Sequence, residues 1–295
     1  TPMNRVKLLA QVTDASTLWD ILVIGGGATG LGIAVDAATR GYKTLLLEQA
    51  DFAKGTSSRS TKLIHGGVRY LAQGQVQLVL EALRERSLLL QNAPHVVKKL
   101  GFVIPAYTWW QAAFYLAGLK LYDLLAGKWS LGASRFLSKQ ETTQALPTIK
   151  TNGLKGGILY YDGQFDDTRL AIELAQTAAA HGACVLNYMQ VTELLKNKQG
   201  KIAGVRAFNQ ESGQTHTIRA KAVINATGVF VDEILRMERP EAPPLIRPSQ
   251  GVHVVLDKSF LSGTEALLIP ETEDGRVLFA VPWQDHLLVG TTDTV

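Results

Sequence analysis

Gly25-x-Gly27-x-x-Gly30 lies between the nearly continuous apolar run Trp19–Ile24 and the stretch LGIAVDAATRGY. No other feature constrains the fold as much. A short apolar run of this kind reads as a strand buried on both faces, and the stretch after the glycines reads as a helix that Gly41 ends. Between a strand and a helix, Gly25 permits the tight turn, Gly27 lets backbone approach a pyrophosphate, and Gly30 lets the helix lie close on the strand. Gly26, Ala28 and Thr29 complete the loop, and the helix start offers free N–H groups and a positive dipole end to phosphates. KTLLLE then supplies a second buried strand and closes a βαβ unit. Glu48 ends it, eighteen residues after Gly30, where a carboxylate accepts hydrogen bonds from adenosine ribose hydroxyls. An acid there disfavours a 2′-phosphate, which calls for an arginine.

Downstream, residues 75–92 carry helical periodicity until Pro94 stops it, and GGILYYDGQF at 156–165 reads as strand and turn. DDTRLAIELAQTAAAHG is an amphipathic helix capped by Asp166 or Asp167 and ended by Gly182. ACVLNY and MQVTELLK follow as strands, KIAGVRAF and THTIRA as a small meander, and KAVINATG as a further buried strand. GVHVVLD, RVLFAVPW and HLLVGTTD alternate like strands of a last sheet. A chain of 295 residues, 46% hydrophobic and 19% charged, is expected to form one large or two ordinary domains. Its net charge of +4 suits an anionic ligand or membrane surface; without a Lys/Arg run, nucleic acid fits worst. Cys184 is the only cysteine, which excludes an internal disulfide, argues against a cysteine metal cluster and fits a reducing compartment. No metal is expected.

GFVIPAYTWWQAAFYLAGL, 101–119, is uncharged and long enough to be weighed as a membrane span. Pro105, Thr108, Gln111 and the following Lys120 and Asp123 argue instead for a strand through Tyr107. After it comes a helix that lies in a membrane interface or is buried in the protein. The Trp109-Trp110 pair suits the headgroup level. The first residues lack the apolar segment and small-residue cleavage site of a secretory signal.

Two further stretches bear on the ligand. In GTSSRST, residues 55–61, Thr56, Ser57 and Ser58 offer hydroxyls and N–H groups to a pyrophosphate or a flavin edge, although a solvated Ser/Thr loop reads the same way. INATG, 224–228, offers a second backbone approach at a strand end. The glycine fingerprint alone leaves FAD and NAD open.

Together these stretches resemble the FAD-dependent glycerol-3-phosphate dehydrogenases of the membrane-associated respiratory type. The resemblance is carried by DILVIGGGATGLGIAVDAATRGYKTLLLE, GTSSRSTKLIHGGVRYL, YYDGQFDDTRL, VINATG, QGVHVVLD and LLVGTTD, and it spans nearly all of 19–293. It implies an α/β fold of the D-amino-acid-oxidase-like flavin superfamily, a glutathione-reductase-like Rossmann FAD domain with an antiparallel-sheet substrate domain. The implied segments are 19–95 and 161–235 for FAD, and 96–160 and 236–295 for substrate. The implied reaction oxidises sn-glycerol 3-phosphate to dihydroxyacetone phosphate and passes the electrons to a quinone. The implied location is cytoplasmic, peripheral on the inner face of the cell membrane. A homodimer is compatible with the sequence, which does not set the oligomeric state.

By position, the resemblance assigns Gly25 to Gly30 and Glu48 to the ADP half of FAD. Thr56, Ser57, Ser58, Lys62, Leu63, Ile64 and His65 go to the pyrophosphate and flavin ring, Val191 to the adenine through its backbone, and Ala226, Thr227 and Gly228 to the opposite side. Arg69, Tyr70 and His253 fall in the substrate pocket, Arg69 on the phosphate and His253 as the base. In STKLIHGGVRYL, Gly66-Gly67 is expected to permit close backbone approach to the ligand. Without the resemblance, His253 is an ordinary sheet-face histidine and Arg69 a surface cation. The family continues past Val295 with further pocket residues, so the chain is expected to be truncated. It also has Val229-Phe230 where the family often has a proline and an aromatic. Two other functions fit the same residues: another flavin oxidase acting on amines or hydroxy acids, and a catalytically silent FAD-binding module.

Overall fold

The computed structural model describes residues 3–272 and 275–292, apart from the side chains of Arg69 and Ala72. From the N-terminus run α1 (Arg5–Thr13), β1 (Leu18–Ile24), α2 (Ala28–Thr39) and β2 (Thr44–Leu47). Next come β3 (Leu63–Ile64), α3 (Val68–Ala72), α4 (Val76–Asn92), β4 (Val97–Ala106), α5 (Trp109–Ala126), β5 (Arg135–Ser138), α6 (Lys139–Ala145) and β6 (Gly156–Phe165). Then follow α7 (Asp167–Ala180), β7 (Cys184–Leu186), β8 (Met189–Lys196), β9 (Ile202–Asn209), β10 (Thr215–Asn225) and α8 (Val231–Glu238). The last strands are β11 (Val254–Asp257), β12 (Ala266–Ile269), β13 (Leu278–Trp283) and β14 (His286–Gly290).

The chain divides into two compact units, Thr1–Ser60 with Asp167–Pro248, and Thr61–Asp166 with Ser249–Val295. The sequence expectation carried the first FAD segment to residue 95. In the structure β3 pairs with β6, and Val79 and Leu83 of α4 enter the second unit's core, so 61–95 folds with that unit.

The first unit is a six-stranded sheet in the order β7-β2-β1-β10-β9-β8. β7, β2, β1 and β10 are parallel, and β9 and β8 continue the sheet antiparallel. Alternation along β1 and β2 feeds two cores: Leu22, Ile24, Leu45 and Leu47 face one, Val23 and Leu46 the other. Helices therefore cover both faces, α1 and α8 on one and the alanine-rich α2 and α7 on the other. THTIRA and KAVINATG, expected as separate strands, form the single strand β10, antiparallel to β9 through its first half and parallel to β1 through its second.

The second unit's sheet runs β11-β14-β13-β12-β4-β6-β3, with β5 also on β6. Its spine is the antiparallel pair β4/β6, in register from Val97 opposite Phe165 to Ala106 opposite Gly156. Apart from the parallel pair β12/β4 the sheet is antiparallel, as expected for a substrate domain. α5 starts at a capping box between Thr108 and Gln111 and buries Ala112, Leu119, Tyr122 and Ala126 against the sheet. No helix among the described residues is long and apolar enough to cross a membrane.

Candidate active site

In the first unit, β1 delivers the chain into the glycine loop. Gly25 has φ +113° and donates its N–H to the Leu47 carbonyl at 2.9 Å. A Cβ on Gly30 would fall 2.0 Å from the Gly25 carbonyl oxygen, so this backbone crossing requires glycine and seats α2 on the strand. Gly25, Gly26 and Gly30 are buried, whereas Gly27, Ala28 and Thr29 face outward. α2 begins at Gly27 with no side chain capping it, so its first N–H groups are open to an anion apart from Ala28, which donates to Ser57 Oγ at 2.9 Å.

Glu48 stands at the end of β2. Its Oε2 accepts the Gly26 N–H at 2.6 Å and its Oε1 accepts the Ala50 N–H at 2.7 Å. These bonds fix the carboxylate, and each oxygen keeps lone-pair capacity for a ribose hydroxyl. Loop, carboxylate, Thr56, Ser57 and the Ala226–Gly228 turn line a groove of about 520 Å³. Farther along it, Met189, Val191, Phe230, Ile234, Met237 and Ile246 supply apolar wall for a flat heteroaromatic ring. Glycine loop, uncapped helix start, anchored acid and apolar end fit the ADP half of FAD. Ser58 is outside the groove lining, its hydroxyl donating to the Gly55 carbonyl at 3.3 Å.

The second unit holds the rest of the assigned residues. Lys62 has a positive φ of 61°, a strained conformation for a side-chain-bearing residue, and its Nζ lies 6.0 Å from the Trp283 ring centroid. Leu63 and Ile64 are β3, paired with Gln164 and Gly163 of β6, and His65 follows exposed. Tyr70 lies in α3 with His65 and Val68 beside a cavity of about 80 Å³. Arg69 is in the same helix, but its side chain lies outside the described residues. His253, just before β11, shares a hydrogen bond of 2.9 Å between its Nε2 and Thr61 Oγ1. Burial, reinforced by the Lys62 charge, lowers the His253 imidazolium below the usual histidine range.

The Gly66-Gly67 expectation needs correction. A Cβ on Gly66 would meet Tyr122 Oη at 2.1 Å and Leu83 Cδ2 at 2.6 Å, so the close approach is to this unit's own α5 and α4 rather than to a ligand. Thr61 was not singled out in the sequence, where it is one hydroxyl in a Ser/Thr run. Arg86 carries no distinguishing signal in the sequence, whereas Asp162 does, as a carboxylate inside the apolar strand GGILYYDGQF. Cys184 is buried, which pushes its thiol up to about 12 and leaves it inert. Among the described residues no group of three or more His, Cys, Asp or Glu side chains is placed to hold a metal ion.

The family profile described as FAD dependent oxidoreductase matches residues 20–295, and the chain belongs to that family. Over 99% of its length it is 46% identical to the mitochondrial glycerol-3-phosphate dehydrogenase of Schizosaccharomyces pombe, covering 47% of that protein. To the human mitochondrial glycerol-3-phosphate dehydrogenase it is 48% identical over 99% of the chain and 42% of that protein. The chain thus spans about half the length of the curated relatives it matches. The X-ray structure of the glycerol-3-phosphate dehydrogenase from Bacillus halodurans complexed with FAD superposes with a TM-score of 0.78. It is 36% identical, and the match covers 100% of this chain and 51% of that one.

Proposed function

We propose that this chain carries out FAD-dependent oxidation of sn-glycerol 3-phosphate to dihydroxyacetone phosphate, with electrons passed on to a quinone at a membrane surface. The observation that carries the reading is the 2.9 Å link between His253 and Thr61, which brings a histidine to the head of the segment bearing Arg69 and Tyr70. The names of the similar dehydrogenases supply the substrate.

When bound, FAD supplies the two-electron acceptor for the hydride leaving the alcohol carbon. The chain's own residues do the rest. The Glu48 and glycine-loop groove would hold the ADP half. Its bond to Thr61 orients the His253 ring before substrate arrives, and its lowered proton affinity keeps it neutral, in the form that accepts the hydroxyl proton. Arg69 would take the phosphate, its fork matching two oxygens at once. Arg69→Lys keeps the charge and loses that geometry. Loss of one charge-assisted contact is worth about 1.5–3 kcal/mol, so half-saturating glycerol 3-phosphate for flavin reduction is expected to rise roughly ten- to a hundredfold. Unchanged substrate dependence would place the phosphate elsewhere.

The membrane part of the reading rests on α5. Opposite its buried face, Trp110 (75% exposed), Phe114 (59%), Leu121 (47%) and Leu124 (76%) form an apolar stripe at helical spacing, with Trp109 beside it and exposed Lys120 and Lys128 near it. Amphipathic rings and lysine stems of this kind suit the headgroup boundary of an anionic bilayer. The proposed location is accordingly peripheral, on the cytoplasmic face of the cell membrane. Trp109→Ser/Trp110→Ser is expected to lower co-sedimentation with anionic vesicles at least tenfold, since each buried aromatic contributes about 1.5–3 kcal/mol. Equal recovery of variant and parent in the pellet would remove the membrane assignment.

A further inference from the structure

We infer that Asp162, held by Arg86 and Tyr122, is a positioning residue that fixes the Gly66-Gly67 turn and so sets how α3 presents Tyr70 to the substrate; the inference rests on the substrate reading above. The Gly66 N–H donates to both Asp162 oxygens, at 3.0 and 3.3 Å. Oδ1 also accepts from Arg86 Nη1 at 2.9 Å, and Oδ2 from the Tyr122 hydroxyl at 3.4 Å. Arg86 is held in turn by the Trp129 carbonyl, which accepts from its Nη2 at 2.9 Å. Four parts of the second unit thus meet at one carboxylate: the turn, α4, α5 and β6.

Stability alone does not account for this arrangement. The Arg86 and Asp162 side chains are each 1% exposed, and a buried ion pair is often no more stable than an apolar pair of the same volume. Here Arg86 Nε is also buried without a hydrogen-bond partner, which adds a desolvation cost. What the pair does achieve is geometric. Gly66 is pressed against Tyr122 and Leu83 from one side and bonded to Asp162 from another, so the turn has a single seat. Gly67, at φ +75°, is the N-cap of α3, and its carbonyl accepts the Tyr70 N–H at 2.8 Å. A shift of the turn therefore moves Tyr70.

Asp162 also reaches the cavity of about 80 Å³ that His65, Tyr70, Tyr160 and Phe279 line. Paired with Arg86, its carboxylate adds no net charge to a wall that would otherwise repel a phosphate.

The test uses the full-length, FAD-loaded polypeptide in three forms: parent, Asp162→Asn, and the apolar double variant Arg86→Met/Asp162→Leu. In both variants half-saturating glycerol 3-phosphate is expected to rise at least tenfold. The reduction rate at saturation should change less than threefold and flavin content should stay at the parent level. Calorimetric affinity for 2-phosphoglycolate, which has no alcohol to oxidise, should fall by the same factor. The double variant separates positioning from packing: an ion pair serving only to fill the core is replaceable, and substrate dependence would then return to the parent value. That return, or parent-like affinity in Asp162→Asn, would overturn the inference. If Asp162→Asn fails to fold, the double variant decides alone. If glycerol 3-phosphate does not reduce the parent, the substrate reading falls and this inference with it, whereas a reducible parent with unaffected variants removes only the inference.

Discussion

Glu48→Arg is expected to purify colourless. The wild-type carboxylate accepts the Gly26 and Ala50 N–H groups at 2.6 and 2.7 Å while facing the groove. Removing it strands two backbone donors and, on the proposed reading, deletes the acceptor for the ribose hydroxyls. It also sets a cation near the positive end of α2. Two charge-assisted hydrogen bonds at about 1.5–3 kcal/mol each amount to a roughly 10²- to 10⁴-fold loss of FAD affinity. Glu48→Gln keeps the shape and one acceptor, so it should lose only about tenfold to a hundredfold. Flavin absorbance per polypeptide after gel filtration, with circular dichroism to show that the fold persists, measures both. A fully yellow Glu48→Arg protein would remove Glu48 from the cofactor site.

His253→Gln should leave flavin content and substrate affinity nearly intact and slow flavin reduction by about 10²- to 10⁴-fold, the range for loss of a positioned general base. The pH dependence gives a second readout. Burial and Lys62 lower the His253 proton affinity, so the ring stays neutral below the 6.5 of an unperturbed histidine. The acid limb of the reduction rate in the parent should lie on the acid side of that value, and it should vanish in His253→Gln. A variant that reduces at the parental rate, or that keeps the same acid limb, would move the base to another residue.

The first βαβ unit was readable because each of its parts is local. An apolar strand, three glycines at fixed offsets, a small-residue helix and Glu48 all act within thirty-one positions. The helix over 75–92 was legible through its periodicity, and the strand–helix order around Thr108 through Pro105, Thr108 and Gln111, which interrupt the apolar run. What the sequence could not show was partnership across distance. β10 joins two segments that read as separate strands because its two halves pair with different neighbours. Thr61 reaches across 192 positions to His253, and Asp162 across 96 to Gly66. The apolar stretch around Trp109 left burial and membrane contact open. The fold gives α5 a buried face, with Ala112, Leu119 and Tyr122, and an exposed one, with Trp110, Phe114 and Leu124.

Oxidation of the proposed alcohol substrate at a flavin held by this chain can be followed by anaerobic titration of the purified yellow protein with sn-glycerol 3-phosphate. Saturable bleaching of the flavin band with stoichiometric dihydroxyacetone phosphate is the expected result. Flavin that stays oxidised with glycerol 3-phosphate yet bleaches with an amine or a hydroxy acid would contradict it.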